Sequence, residues 1–336
     1  MDIRKASPEL IVRETPSGFV LTASIWPEGN EDFALIRETE TRYKIVEFSQ
    51  AHRDLFEVMG GEHFQVPEEG KAELLEALKG IATIVNINSE IEEVGHEMQQ
   101  VEGDSQLYGH LLPFGDGYRL DLFVKPLGPE GPSLIPGNGA ANVISKIGEE
   151  VLQAPRALQV ERRAAEHIIA HCPVLTSVYT EDYKWKISRR ESCLELLLQL
   201  KPLRDQGAVE LVWPKGERLK LVREVSFADL SVQITDDNDW FGLGGSLRLD
   251  DEHEILLHEL LTKMRDGQQQ FVELDDGQFV ALTAQLRRSL EEVAAFAAIE
   301  EDGVRLHVLA GLSLETFTSQ AGQFNAGPNW HAQLRR

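Results

Sequence analysis

A short basic segment, residues 183–190, brings together residue types that could do chemistry. It combines four cations and two aromatic rings without a carboxylate. Cations contact phosphates and aromatic rings stack on bases, so the mixture is typical of a nucleic-acid contact. The residues that we predict to contact nucleic acid are Lys184, Trp185, Lys186, Arg189 and Arg190.

The basic segment also fits a structural interpretation, in which an exposed strand precedes a helix and the aromatic rings lie in the core. Cations near a helix N-terminus are otherwise unfavourable, which keeps the binding interpretation open. The basic surface would also include Arg156, Arg162 and Arg163 if the helix that carries them packs beside the helix that follows the basic segment.

Motifs for nucleotide chemistry do not occur in the sequence. A phosphate-binding loop needs Gly-x-x-x-x-Gly-Lys-Ser/Thr, and the nearest string, Gly70-Lys71-Ala72, lacks the first glycine and the hydroxyl. Asp251-Glu252-His253-Glu254 is similar to the acidic box of a helicase, but acidic residues at a helix N-terminus explain it more simply. Gly137-Asn138-Gly139-Ala140-Ala141-Asn142 lacks the third glycine of a dinucleotide site.

Metal and nucleophile motifs are also missing from the sequence. His167 and His171, with Cys172 beside them, and Glu254 with His258 each offer two ligands at helical spacing, fewer than the three or four that zinc requires. No Gly-x-Ser-x-Gly elbow occurs. We therefore predict no catalytic residue, no metal ligand and no cofactor-binding residue in this chain. An enzyme whose catalytic residues are dispersed along the sequence stays an open alternative.

Composition limits the protein class. The 336 residues are 42% hydrophobic, and 33 Lys plus Arg against 56 Asp plus Glu give a net charge of −23, so nucleic acid must bind at a local patch. The two cysteines lack metal or redox spacing, as expected in a reducing cytoplasm. The N-terminus does not read as a signal peptide, and no window reaches the roughly 18 apolar residues of a membrane helix. We predict a cytoplasmic protein without a membrane partner.

Apolar periodicity predicts an α+β fold of several small antiparallel sheets and hairpins with packed helices, divided into several domains. Predicted hairpins join residues 9–13 to 19–23, 107–113 to 118–125, 209–213 to 219–222 and 271–274 to 279–282. Predicted helices cover residues 50–59, 68–78, 155–171, 190–201, 255–264 and 284–298, with Pro202 ending the fourth. The predicted domains are 1–100, 101–225 and 226–336, each α+β, with an acidic connector near residues 89–104.

Three strings in the middle of the chain carry a family resemblance: Arg119 to Leu127, Ile135 to Gly139, and Arg156-Ala157-Leu158 with Glu161. Later strings continue it in the same order, at Val209 to Gly216, Asp239 to Gly245, and Phe271 to Gly277 with Leu282-Thr283. Together they resemble the long region ahead of the motor in large bacterial Swi/Snf-type DEAD/DEAH-box helicases. The resemblance covers residues 107–298.

The resemblance implies an ATP-dependent DNA translocase or remodeller, whose two motor lobes hold ATP and magnesium. This sequence contains no motor, so the resemblance implies a non-catalytic accessory region, with residues 226–336 as a helicase-associated domain. Its expected partners are a helicase motor in cis or in trans, DNA at the basic segment, and a protein. The alternative is a stand-alone acidic interaction module, a polyanion mimic that binds a basic partner.

Overall fold

The computed structural model describes most of the chain. The described residues are 2–25, 31–37, 42–91, 98–115, 117–178, 180–213, 220–237, 240–249, 253–265, 270–273, 278–300, 303–307 and 314–333. They fold into helices and many small mixed sheets, which confirms the predicted α+β class. None of the helices in these residues is long and apolar enough to cross a membrane.

The chain divides into two compact units, residues 1–217 and 218–336. The predicted boundary at residue 225 falls near this division. The predicted boundary at residue 100 falls inside the first unit, where one sheet includes strands from both sides of it. The finer division of the first unit into two domains stays a prediction.

Strands dominate the first unit. They are β1 (Asp2–Ala6), β2 (Glu9–Thr15), β3 (Gly18–Ala23), β4 (Phe33–Arg37), β5 (Arg42–Glu47), β6 (His63–Pro67), β7 (Asn86–Ser89), β8 (Gln99–Gln100), β9 (Leu107–Phe114), β10 (Gly117–Val124), β11 (Asn142–Ile147), β12 (Glu150–Pro155), β13 (Thr180–Glu181), β14 (Lys184–Ile187) and β15 (Glu210–Val212). The helices are α1 (Gln50–Met59), α2 (Lys71–Ala82), α3 (Leu158–His171), α4 (Pro173–Thr176) and α5 (Arg190–Asp205).

Three sheets organise these strands, in the orders β1-β5-β4, β13-β14-β10-β9-β15 and β6-β3-β2-β7-β11-β12-β8. Alternation of apolar and polar residues gives strands such as β2 and β10 one buried face. Residues from β2, β3, β7, α1 and α2 share one apolar core. The five-stranded sheet packs against α5, whose buried residues include Cys193, Leu196 and Leu200.

The second unit contains β16 (Lys220–Val225), β17 (Leu230–Asp237), β18 (Trp240–Arg248), β19 (Glu254–Leu256), β20 (Phe271–Glu273), β21 (Gln278–Leu282), β22 (Ala298–Glu300), β23 (Gly303–His307) and β24 (Gln323–Ala326). Its helices are α6 (Leu257–Arg265), α7 (Ala284–Phe296), α8 (Glu315–Gln320) and α9 (Pro328–Gln333). The sheet orders are β16-β21-β20 and β22-β23-β18-β17-β24, with β19 beside β18. Leu260, Leu286 and Trp330 lie fully buried in its core.

Three of the predicted hairpins are observed, because β2 pairs antiparallel with β3, β9 with β10, and β20 with β21. The predicted hairpin between residues 209–213 and 219–222 is wrong. β15 instead pairs parallel with β9, and β16 pairs parallel with β21. Each of these strands pairs with a strand that is distant in sequence, and residues that are neighbours in sequence do not encode this choice. Residues 214–219, which include the predicted turn, lie outside the described residues.

Helix ends also differ from prediction at two prolines. Pro155 closes β12, and α3 begins only at Leu158. Pro202 does not end α5, which continues to Asp205. Leu203 is 3% exposed, so packing holds the last turn although the proline removes one backbone donor.

Candidate nucleic-acid interface

The basic segment begins with β14, whose residues alternate between the two faces of the five-stranded sheet. Lys184 and Lys186 are exposed, whereas Trp185 and Ile187 are 1% and 2% exposed. This is the period of two that a half-buried strand requires. β14 pairs antiparallel with β10, so its backbone is held in the sheet and both lysines project from the outer face.

Trp185 belongs to the core and not to the surface. Its side chain is among the largest fully buried ones of the described residues. A base cannot stack on a ring without an exposed face, so the predicted contact role does not fit Trp185 in this conformation. The contact roles of Lys184, Lys186, Arg189 and Arg190 stay predictions.

Of the two aromatic residues in the basic segment, Tyr183 and not Trp185 reaches the surface. It is half-buried, and its ring centre lies 6.1 Å from that of Trp185. Asp182 and Tyr183 form the two-residue turn between β13 and β14, with φ of 53° and 58°. Positive φ at both positions defines a type I′ turn, in which Asn-Gly is the usual pair. The backbone N–H of Leu122 donates to the Tyr183 carbonyl at 3.0 Å and fixes the turn to β10.

Arg189 and Arg190 stand where the strand passes into α5. Both side chains are exposed, and Arg189 is the N-cap residue without a side-chain cap hydrogen bond. The positive end of the helix dipole disfavours cations by about 0.3–1 kcal/mol at such positions. Glu191, in the first turn, supplies the opposite charge that the dipole favours.

The outer face of β10 supplies a further cation and a carboxylate beside the lysines. Arg119 lies opposite Lys186, and Asp121 lies opposite Lys184. Arg119 Nε donates to Asp121 Oδ1 at 2.6 Å, and a second bond joins the same two side chains. Asp121 is therefore already paired, and Glu181 of β13 lies opposite Lys184 on its other side. Lys186 Nζ lies 5.5 Å from the ring centre of Phe114, a cation–π contact that orients the lysine.

A buried ion pair joins two of the strings that carry the family resemblance. The Arg156 and Glu161 side chains are 2% and 0% exposed, and Arg156 Nη2 donates to Glu161 Oε2 at 2.6 Å. Arg156 also donates to the carbonyls of Ile135 and Asn138, at 2.8 and 2.9 Å. The Gly137 N–H donates to Glu161 Oε2 at 2.9 Å. We call Arg156, Glu161 and the bound loop 135–139 the loop clamp.

The loop clamp bears on two interpretations of the sequence: the extension of the basic surface by Arg156, and a dinucleotide site at the glycines. Arg156 is enclosed in it and cannot extend the basic surface, whereas Arg162 and Arg163 on α3 are exposed. α3 packs against α5, as that extension requires. The glycines at 137 and 139 serve a tight loop, since the carboxylate of Glu161 occupies the backbone donor that a dinucleotide phosphate would need.

The other candidate motifs do not assemble into sites in the part of the chain that the structure describes. His167 and His171 face each other on α3 with ring centres 4.2 Å apart, but no group of three possible metal ligands occurs among the described residues. Glu254 lies in β19 and accepts a hydrogen bond from the Ser246 hydroxyl, while His258 lies in α6. Residues 251 and 252 are outside the described residues.

Both cysteines are buried thiols. Burial raises the pKa of Cys172 to about 12 and that of Cys193 to about 11. The Cys193 thiol donates to the Ile187 carbonyl at 3.3 Å. A thiol that stays protonated at neutral pH is a poor nucleophile, so neither cysteine is activated for catalysis.

No protein-family model matches the chain, and no curated protein matches it.

Proposed function

We propose that this chain is a non-catalytic accessory region of an ATP-dependent Swi/Snf-type DNA helicase or translocase. In this role it positions DNA for the motor, which works in cis or in trans. ATP and magnesium belong to the motor and not to this chain. The order of the quoted strings, from Arg119 to Thr283, supports the family assignment, and the basic segment supports the DNA contact.

The observation that carries the proposal is the exposure of all four cations of the basic segment on one rigid scaffold. Lys184 and Lys186 project from a paired strand, and Arg189 and Arg190 follow at the start of a long helix. A chain with a net charge of −23 repels polyanions on average, so such a patch is where a phosphate backbone would approach. Tyr183 adds a partly exposed ring for a base.

The second candidate function is a stand-alone acidic module that binds a basic protein. The net charge of −23 favours it, because a strongly acidic surface attracts cationic partners. The two proposals differ in the role of the basic segment. Its cations contact DNA in the first proposal, whereas an acidic mimic would bind its partner through carboxylates.

Titration of labelled single-stranded and duplex DNA, followed by fluorescence anisotropy at several salt concentrations, tests the proposal. We expect binding at low salt that weakens as salt rises. Each phosphate contact that is lost lowers the slope of log affinity against log salt by about 0.9 for duplex and about 0.7 for single strands. Replacing the four cations of the basic segment by alanine should therefore reduce both affinity and slope.

The control replaces four exposed cations elsewhere by alanine, so that the net charge changes equally: Arg13, Lys146, Arg204 and Arg288. The control variant should keep most of the parent affinity. Equal losses in the two variants would mean that only net charge matters, and an absence of binding at low salt would reject the DNA contact. Either result would favour the acidic module.

A further inference from the structure

The loop clamp holds an asparagine that is followed by glycine. Asn138-Gly139 is the one Asn-Gly pair in the sequence. Both residues are exposed, whereas Gly137 before them and Ala140 after them are buried. Asparagine is a thermolabile residue, because the backbone nitrogen of the next residue can attack its side-chain carbonyl carbon. Glycine has no side chain to shield that nitrogen, so this pair is where such an attack meets the least steric hindrance.

The structure aligns the two groups that would react. The Gly139 N–H donates to Asn138 Oδ1 at 2.8 Å. A backbone N–H can only donate, so the oxygen of the side-chain amide, and not its NH2 group, lies towards this nitrogen. Asn138 Cγ bears both groups, so the nitrogen lies beside Cγ while the leaving group Nδ2 points away from it. Alignment of this kind within one molecule raises a reaction rate, because no separate encounter is needed.

The guanidinium of Arg156 contacts the same peptide group. Its Nη1 donates to the Asn138 carbonyl oxygen at 2.9 Å, and Glu161 binds its other nitrogens and holds it in place. The Asn138 carbonyl and the Gly139 nitrogen share one peptide bond, so the charge that develops when the nitrogen loses its proton spreads to this oxygen. A buried, preorganised cation stabilises such a charge. Arg156 therefore favours the deprotonated nitrogen, which is the nucleophile.

We propose that Asn138 deamidates spontaneously in the folded chain, and that Arg156 activates the attacking peptide group. The Gly139 nitrogen forms a bond to Asn138 Cγ, and the bond from Cγ to Nδ2 breaks. The proton of the nitrogen leaves with the amide group as ammonia. Solvent water then opens the cyclic imide at either of its carbonyls and leaves aspartate or isoaspartate at position 138. The reaction needs no other reactant and goes beyond the proposed DNA contact.

The products change the loop clamp. Isoaspartate carries the main chain through its β-carbon, which adds one atom to the backbone before Gly139. The carbonyls of Ile135 and Asn138 both bind Arg156, at 2.8 and 2.9 Å, so a longer backbone distorts at least one of these contacts. Either product also adds a negative charge to the loop. Deamidation should thus loosen the loop clamp as the protein ages.

Mass spectrometry of the incubated full chain tests the reaction. The chain is kept at neutral and at mildly alkaline pH, then digested, and the asparagine, aspartate and isoaspartate forms of the peptide are separated. We expect Asn138 to be converted, faster at the higher pH because the nitrogen must lose its proton. Conversion should be slower in the same chain unfolded in urea, because unfolding removes the Arg156 contact. Asn142, which is followed by valine and is buried, is the internal control.

Two variants test the part played by the guanidinium. Arg156→Met/Glu161→Leu removes it together with its partner and should slow conversion several-fold. Arg162→Ala is the matched control, because Arg162 Nη2 donates to the Gly137 carbonyl at 2.7 Å and so binds the same loop without touching the reacting peptide group. This control should keep the parent rate.

Three results would overturn the proposal. The first is an Asn138 that stays unmodified in the folded chain, and the second is a folded chain that reacts more slowly than the chain in urea. Both are measured on the parent sequence, so they do not depend on whether a variant folds. The third is an equal rate in the double variant and in Arg162→Ala, which would leave Arg156 without a part in the reaction.

Discussion

The loop clamp and the basic segment use the same kinds of side chain in opposite environments. In the loop clamp, Arg156 and Glu161 are almost inaccessible, and they bond to backbone carbonyls, to a backbone N–H and to each other. In the basic segment, the four cations are exposed and follow a strand and a helix start. Burial therefore determines whether a charged residue holds the fold or stays accessible to a partner.

The energies of the two regions should differ accordingly. Removing one partner of a buried ion pair leaves an uncompensated charge and costs about 3–5 kcal/mol. Exposed charges contribute about 0–1 kcal/mol, because water and salt screen them. Substitutions in the loop clamp should thus change stability, and substitutions in the basic segment should change binding.

Glu161→Ala should have the largest effect on stability. It leaves the Arg156 guanidinium buried without its carboxylate and removes the acceptor of the Gly137 N–H. We expect the free energy of unfolding to fall by about 3–5 kcal/mol. Urea denaturation, combined with hydrogen exchange to locate the loss in residues 135–161, measures it.

The matched control is Glu166→Ala, which removes an exposed carboxylate from the same helix and should change stability by less than about 0.5 kcal/mol. Arg156→Met/Glu161→Leu removes both charges and should cost less than Glu161→Ala alone. If Glu161→Ala matched the Glu166→Ala control, the loop clamp would not hold the fold.

Gly137→Ala should have the next largest effect on stability. Gly137 has φ of +63°, and an added Cβ would lie 2.5 Å from Arg162 Cβ and 2.8 Å from the Leu158 carbonyl oxygen. Left-handed backbone alone costs a non-glycine residue about 1–2 kcal/mol. Gly115→Ala is the comparison, because its φ is +57° and, apart from its neighbours in sequence, no described residue has an atom within 4 Å of the added Cβ. Thermal unfolding should show a larger decrease in melting temperature for Gly137→Ala than for Gly115→Ala. Equal decreases would mean that close packing is not the reason for glycine at position 137.

The Arg223–Asp229 pair in the second unit lies between these extremes, with side chains 32% and 11% exposed and atoms 2.8 Å apart. Burial favours a higher pKa for Asp229, but hydrogen bonds from the Ser226 N–H and from Arg223 outweigh it and lower the pKa. This carboxylate therefore stabilises the fold above its unfolded pKa of about 3.9, and the contribution is lost as pH falls through the lower folded value.

Urea unfolding of the parent and of Asp229→Asn at a series of pH values measures this contribution. We expect the parent to be more stable at neutral pH and the difference to narrow in acid, below a pH of about 4. A difference that stays constant down to the acid range would contradict the pairing.

Lys184→Ala/Lys186→Ala should have the smallest effect on stability, within about 0.5 kcal/mol of the parent. Trp185→Ala, between them in the same strand, should lose about 3–5 kcal/mol because it empties a buried site. Chemical denaturation of the two variants compares the faces of β14 directly. A large loss in the lysine variant would mean that these cations serve the fold.

Local sequence signals predicted much of this fold. The α+β class, three hairpins and most helices follow from periodicity and turn residues. The β11–β12 hairpin was missed although Gly148, with φ of +61°, marks its turn. The parallel pairing of β15 with β9 could not be predicted, because the partners lie about a hundred residues apart and no local residue encodes the choice.

The candidate site was predicted in part. Alternation in Lys184-Trp185-Lys186 already implies that the ring and the lysines face opposite sides, so the burial of Trp185 had a signal in the sequence. Tyr183 had none, because its position depends on a turn with two positive φ angles and no glycine. The ion pair of the loop clamp also lacked a signal, since burial and not spacing makes it important.

At the turn formed by Asp182 and Tyr183, stability of the fold and the proposed DNA contact would favour different residues. Tyr183→Gly would relieve the left-handed strain and should raise the melting temperature. The same change would delete the ring beside the lysines. Laboratory selection for thermal stability alone should therefore replace Tyr183. Selection for DNA binding should retain it. These two outcomes together would show that the strained turn serves the proposed DNA contact.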